Sequence, residues 1–299
     1  MPFYTGSNKK PSLINVSGRR MEVFMHENRP DPANEAARRT RAKEGRAPVA
    51  IVTGVSRRIG IGAAICRALA AKGMDVLFTS WTAFDKETSW GADEVGPEAI
   101  LRELAESGIR CERLEIDQSD PEAAKRIVDE TEKRLGFPSI LVNNAAYSVN
   151  DGYEKLDAAN LDAHYAVNMR GTALLSVEFG RRFNRGSGGR IINLTSGQSL
   201  GPMRGEIAYA ATKAAVEAMT VTLAAELAPK GITVNAVNPG PTDTGWMTEE
   251  LRSGLVGQFP FGRIGRPEDA ARLIAFLAGE EAEWITGQIL HSEGGFRLK

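Results

Sequence analysis

Tyr209 and Lys213 stand four residues apart in Tyr-Ala-Ala-Thr-Lys, and Ser196 precedes the tyrosine by thirteen positions. On a helix, residues i and i+4 lie one above the other on one face. An ammonium beside a phenol favours the phenolate and lowers a pKa that is about 10 in water. A tyrosine tuned in this way exchanges a proton with a carbonyl or alcohol oxygen near neutral pH. A serine hydroxyl within reach would hold that oxygen while negative charge develops on it. Taken alone, the pair also reads as a helix-surface tyrosine beside a solvated lysine. Ser196 alone also reads as a strand-end hydroxyl capping local backbone. The rest of the chain decides between them.

From Pro48 onward the chain alternates short apolar runs with helical stretches. Strands are expected over 49–53, 76–79, 111–116, 140–144, 190–195, 233–237 and 288–291, with helices over 63–72, 97–107, 158–183 and 209–227. Apolar runs alternating with helices imply a parallel sheet covered on both faces and joined by right-handed crossovers. The predicted fold is α/β, a Rossmann-type doubly wound sheet of about seven strands in a single domain. Thr53-Gly-Val-Ser-Arg-Arg-Ile-Gly-Ile-Gly62 links the first strand to the first helix. Glycines at such a turn admit a pyrophosphate close to the backbone, and the helix N-terminus supplies amide donors. Dinucleotide binding follows from that placement.

With these motifs in order, the chain resembles the short-chain dehydrogenase/reductase family from about residue 48 to 295. The family's T-G-x-x-x-G-x-G stands here with two extra residues, as Thr53, Gly54, Gly60 and Gly62. That longer spacing is similar to the enoyl-acyl-carrier-protein reductases, whose tyrosine–lysine gap is nevertheless longer than the one here. The family's N-N-A-G reads Asn143-Asn144-Ala145-Ala146, and its helix-borne asparagine matches Asn168. Pro239-Gly-Pro-Thr-Asp-Thr244 matches the segment that clasps the nicotinamide side, and 262–267 and 285–295 look like the closing motifs. The resemblance implies a catalytic tetrad of Ser196, Tyr209, Lys213 and Asn168. In it Tyr209 gives the proton, Lys213 lowers its pKa and bonds the ribose, and Asn168 positions a water leading to solvent. It implies cofactor contacts from Gly54, Ser56, Gly60, Ile61, Ser80, Trp81, Asp117, Gln118, Asn144, Ala145, Ala146, Tyr209, Lys213, Pro239, Gly240, Thr242 and Thr244.

Charge argues for NADP(H). An acidic residue ending the second strand would accept from the 2′-hydroxyl of NAD, and the residue here is Ser80, while Arg57 and Arg58 suit a 2′-phosphate. The expected activity is NADPH-dependent reduction of a 3-oxoacyl thioester, as in 3-oxoacyl-acyl-carrier-protein reductases. The alternatives are a sugar, polyketide or xenobiotic ketone or alcohol, or a non-catalytic dinucleotide-sensing regulator. The small and apolar residues on several faces of the 158–183 and 209–227 helices suggest pairing across a two-fold axis, and the resemblance implies a homotetramer.

The chain's 299 residues are 42% hydrophobic and 25% charged, with a net charge of −1, which gives no overall pull toward nucleic acid or anionic membrane. No apolar run reaches a membrane span and no signal sequence opens the chain, so a cytoplasmic protein is expected. Cys66 and Cys111 read as buried reduced thiols, and His26, His164 and His291 lack metal-ligand spacing, so no metal is expected. Residues 1–47 carry a basic, aperiodic stretch, expected as a flexible extension to a catalytic domain over 48–299. It reads as a solvated tail, an upstream start before Met21 or Met25, or an arm for a polyanion or an organelle. Trp81, Phe84 and Trp90 in an insert over 81–96 would cover the adenosine end, join a subunit contact or pack on themselves. Residues 244–261 resemble a mobile substrate lid, or else an amphipathic helix packed on the sheet.

Overall fold

The computed structural model describes residues 47–87 and 91–296. Trp90 and, apart from Ala47, the basic stretch lie outside them. Seven strands form one parallel sheet, in the order β3-β2-β1-β4-β5-β6-β7. They are β1 (Val49–Val52), β2 (Asp75–Ser80), β3 (Cys111–Glu115), β4 (Ile140–Asn143), β5 (Gly189–Leu194), β6 (Ile232–Asn238) and β7 (Ile289–His291). All but two are buried along their whole length, which is why they read as apolar runs rather than alternating ones. Helices α1 (Ile61–Ala70), α3 (Gly96–Glu106) and α9 (Pro267–Leu277) cover one face, and α2 (Thr82–Glu87) follows β2. The other face carries α4 (Ala123–Arg134), α6 (Thr172–Arg182) and α7 (Ile207–Leu227). Helix α5 (Ala158–His164) leads into α6, and α8 (Glu249–Val256) follows β6.

The two-residue period of a strand sorts each run between the two cores. Ala50 and Val52 join Ile65, Leu69, Ile100 and Ile274, while Val49 and Ile51 join Ile127, Leu175, Phe179 and Val234. A polar link crosses the second core. The Asn143 amide donates to Ser176 Oγ (2.9 Å) and Asn193 Oδ1 (2.8 Å), and the Asn193 amide donates to Thr220 Oγ1 (2.9 Å). Both asparagines are buried, so these bonds fix α6 and α7 against the sheet at chosen heights.

Three elements differ from expectation. The 158–183 stretch is not one α-helix, because Tyr165–Gly171 winds as a π-helix between α5 and α6. Helix α7 begins at Ile207, before Tyr209, because the Asp151 carboxylate accepts from the Ile207 (2.7 Å) and Ala208 (2.9 Å) amides. That carboxylate comes from a distant loop and satisfies first-turn donors a local cap would otherwise take. Within the insert, α2 sets Phe84 against Tyr147, with centroids 5.2 Å apart, so this ring packs outside its own loop. Cys66 is buried as expected, whereas Cys111 is half-buried.

Candidate active site at the sheet switch point

Strands β1 and β4 are neighbours, yet β2 leads away to one side and β5 to the other. Such a reversal leaves a crevice at the carboxyl ends of the strands. Thr53 follows β1 and holds that crevice together. Its hydroxyl accepts from the backbone of Asn144 and Ala145, both at 3.0 Å. The Asn144 amide returns two bonds of 2.8 Å, to the carbonyls of Thr53 and Gly54. Gly54 has φ +72°, and a β-carbon there would lie 2.5 Å from Ala145 Cα, so no other residue fits. Gly60 precedes α1 with no side-chain cap, leaving the first-turn amides of Ile61 and its neighbours for an anion. The cradle fits a dinucleotide pyrophosphate.

Around it, the residues expected at the cofactor divide into two groups. Ser56 accepts from the Trp81 amide (3.4 Å), and Trp81 is 39% exposed over the turn. Pro239 and Gly240 lie at the end of β6, where Thr242 bonds the Gly240 carbonyl at 3.1 Å. Ala146 follows Ala145 as a half-buried residue. The others are otherwise engaged. Arg57 does not point free toward a phosphate: its guanidinium donates to Thr244 O (3.0 Å) and Thr244 Oγ1 (3.1 Å). Arg58 pairs with Asp93 of the insert at 2.8 Å. Asp117 accepts from the Ser119 amide at 2.8 Å. The Gln118 side chain packs on Gly171, with its buried Oε1 lacking a hydrogen bond. Ser80 is buried, and its hydroxyl donates to Glu115 Oε2 at 2.6 Å. Glu115 therefore sets an acid beside the second strand end after all, held also by the Thr82 amide (2.7 Å).

Ser196, Tyr209 and Lys213 meet at the crevice. Ser196 follows β5 in extended conformation and hydrogen-bonds the Tyr209 phenol. The Lys213 ammonium lies 5.5 Å from the centre of the tyrosine ring and donates to Leu194 O at 2.8 Å. Asn168 stands on the π-helix with its side chain spent. Its Oδ1 accepts from the Tyr147 amide (2.7 Å), and its Nδ2 donates to Tyr147 O (2.9 Å) and Thr212 Oγ1 (3.1 Å). The side chain thus pins the loop after β4 to the turn of α7 that carries Lys213, rather than facing solvent toward the lysine. π-Turns of this kind recur at functional sites.

Three neighbours gave no motif signal. His164 is fully buried, 4.8 Å from Tyr147 and 6.4 Å from Tyr209 between ring centres. Its Nδ1 faces Asn160 O at 2.9 Å and its Nε2 faces the Val149 amide at 3.4 Å, so both ring nitrogens are engaged by backbone. Asp151 caps α7, as described. Glu206, one turn before Tyr209, is half-buried, and burial together with the nearby Asp151 carboxylate raises its pKa. Folding brings His164 and Asp151 to this helix from far along the chain, whereas Glu206 neighbours the tyrosine by one turn.

The electrostatics revise one expectation. The Tyr209 phenol is pushed up to about 12, first by burial and then by the Glu206 charge, with the Ser196 bond a smaller opposing effect. Lys213 does not offset this, because burial drops its own pKa to about 8 and it spends a proton on Leu194. The folded lysine thus loses its proton below the unfolded value of 10.5. Between pH 8 and 10.5 the unfolded chain binds the extra proton, so stability rises with pH across that window. At pH 7 the penalty is about 3 kcal/mol, against about 1 kcal/mol for the bond to Leu194 O. Lys213→Met is therefore expected to stabilise the fold by about 2 kcal/mol at pH 7, an advantage gone at the top of the window. Urea unfolding at pH 7 and pH 10.5 measures both values, and a variant weaker than the parent at pH 7 would refute the burial argument.

Residues 54–297 match a family model described as enoyl-(acyl carrier protein) reductase. An uncharacterised oxidoreductase, YjdA of Bacillus subtilis, is 57% identical over 250 residues, which are 83% of this chain and 96% of that protein. An NADPH-dependent aldehyde reductase-like chloroplastic protein of Arabidopsis thaliana is 37% identical, covering 83% of this chain and 93% of its own. A 3-oxoacyl-[acyl-carrier-protein] reductase of Aquifex aeolicus is 32% identical, covering 83% and 96%. Among solved structures, a short-chain dehydrogenase/reductase from Serratia marcescens superposes with a TM-score of 0.75 at 35% identity, covering 84% of this chain and 98% of that one. Switch-point crevice, glycine turn and relatives agree: the chain belongs to the short-chain dehydrogenase/reductase family and is an NAD(P)-dependent oxidoreductase.

Proposed function

We propose that this protein is an NADPH-dependent carbonyl reductase in which Ser196, Tyr209 and Lys213 act on the carbonyl oxygen. The hydrogen bond between Ser196 and Tyr209 at the crevice carries the reading. A dinucleotide held in the cradle would supply the hydride. Ser196 holds the carbonyl oxygen, and Tyr209 gives up its proton as negative charge forms there. A phenol held at about 12 keeps that proton throughout the physiological range, which suits a donor in the reducing direction. Lys213 orders the phenol from beneath through its seat on Leu194 O, and Asn168 holds the Tyr147 loop over the pair. A 3-oxoacyl thioester fits the Aquifex relative's name and the apolar segment after β6, where Met247, Phe259 and Ile264 pack together. One observation favours a second reading. The half-buried Glu206 carboxylate beside Tyr209 is a poor neighbour for an alkyl chain and a good one for a small ketone or aldehyde bearing a hydroxyl. The Arabidopsis relative's name fits that class.

Preference for NADPH is supported by the strand end, where Ser80 replaces an acid, and by the exposed Arg58 in the turn, which a 2′-phosphate would draw from Asp93. Glu115 works against it, since its carboxylate suits a ribose hydroxyl. Assembly is proposed through the α5–α6 stretch and α7, which leave Leu161, Tyr165, Leu174, Ile207 and Val221 exposed. Residues 1–47 are proposed as an extension outside the catalytic domain.

Tyr209→Phe keeps the ring and loses the proton donor, so kcat should fall at least about 100-fold while cofactor still binds. More than about a tenth of parental turnover would remove the assignment. Running the assay on an acetoacetyl thioester and on a hydroxyketone chooses between the two substrate classes. NADPH should exceed NADH in kcat/KM by about ten-fold, a difference near 1.4 kcal/mol. Arg58→Ala should erase that margin and Glu115→Gln should widen it; equal efficiencies in the parent would show that no phosphate contact forms. Light scattering at micromolar concentration is expected to report a tetramer, and a monomer would discard the proposed helix interface.

A further inference from the structure

The two residues by which the glycine turn exceeds the family spacing lie in 55–59, and that stretch reaches across the crevice. Arg57, on the α1 side, donates two guanidinium bonds to Thr244, on the β6 side, through the backbone carbonyl (3.0 Å) and the hydroxyl (3.1 Å). Two residues on, Ile59 makes a second crossing. Gly245 has φ +87°, and a β-carbon there would lie 2.7 Å from Ile59 Cδ1, so the isoleucine sits on the glycine's bare face. Ile59 is otherwise 60% exposed. The turn is braced from behind: Arg67 donates to Arg58 O (2.8 Å), and Arg58 pairs with Asp93. The far side is equally ordered. Thr242 pairs with Gly265, Asp243 holds Arg252 of α8 at 2.6 Å, and the Trp246 indole donates to Thr242 O at 3.0 Å. Thr244 is thus the root of the segment that carries α8.

We propose that this extended turn is a strap, with Arg57 and Ile59 as positioning residues that close the crevice over the dinucleotide and fix the root of the α8 segment. The inference rests on dinucleotide binding in this crevice and goes beyond it. A dinucleotide held between the strand ends and Thr244 would pass under the bridge, and its exchange would then require the strap to open. A strap held by its bonds to Thr244 acts alike on NADPH and NADH. Opening also releases Thr244 and with it α8, which couples cofactor exchange to the substrate side.

Release of NADPH and of NADH from the full-length protein, followed by the fluorescence of the reduced nicotinamide in stopped flow, tests this. Arg57→Met should speed release of both cofactors by the same factor, about ten-fold. Ile59→Ala, at a surface position that does not threaten folding, should do so by a smaller common factor. Thr244→Val combined with Arg57→Met should show a non-additive effect, since Thr244→Val removes one of the two bonds that Arg57→Met removes. An effect of Arg57→Met on NADPH alone would make Arg57 a phosphate ligand and overturn the strap. So would unchanged release in both single variants, or full additivity in the double variant. If the parent bound neither cofactor, dinucleotide binding itself would fail, which separates that outcome from failure of the strap.

Discussion

One threonine hydroxyl carries much of this architecture. Parallel strands end with unpaired backbone groups, and at a switch point no crossover covers them. Thr53 Oγ1 takes two amide donors from the chain leaving β4, and the Asn144 amide takes two carbonyls of the chain leaving β1. The four bonds hold two diverging loops at contact distance, close enough that Gly54 admits no side chain. With that junction set, the glycine turn, the Ala145–Tyr147 segment and the start of α1 all face one crevice. The binding cradle is therefore a consequence of how the sheet closes its own ends.

The chemistry is fixed one layer further out. Helix α7 is anchored at its start by Asp151 and along its length by Thr220, while Asn168 ties its Thr212 turn to the loop after β4. Tyr209 and Lys213 sit between these anchors with little freedom. Both are driven toward their neutral forms by burial, the phenol upward and the amine downward. An ammonium and a phenol so close in a shielded site differ from the solvated pair that bare spacing suggests. Stability is given up at the lysine, as happens where function needs a poorly solvated charge.

Much of this was legible in the chain. Fully buried strands announce themselves as apolar runs, and the order of glycine turn, asparagine, serine and tyrosine places the crevice. Local pattern carries that information because each motif spans a few residues. What it could not convey depends on contacts across long separations. Glu115 reaches Ser80 from the neighbouring strand, Asp151 caps a helix fifty-six residues away, and His164 approaches Tyr209 only after packing. Arg57 and Arg58 were identifiable as charges in the right turn, yet their directions are set by Thr244 and Asp93. The signs of the Tyr209 and Lys213 shifts follow from burial, which no spacing encodes.

The π-wound stretch from Tyr165 to Gly171 makes the length of its helix as constrained as its composition. Its wide turns take up one residue more than ordinary winding would hold, so the half carrying His164 and the half carrying the buried Leu175 and Phe179 each keep their own face. Deleting one residue would narrow those turns and cost Asn168 its bonds to the Tyr147 backbone, while the core half stayed where it is. The bulge is a local width in the helix, which carries one side chain across to the loop after β4.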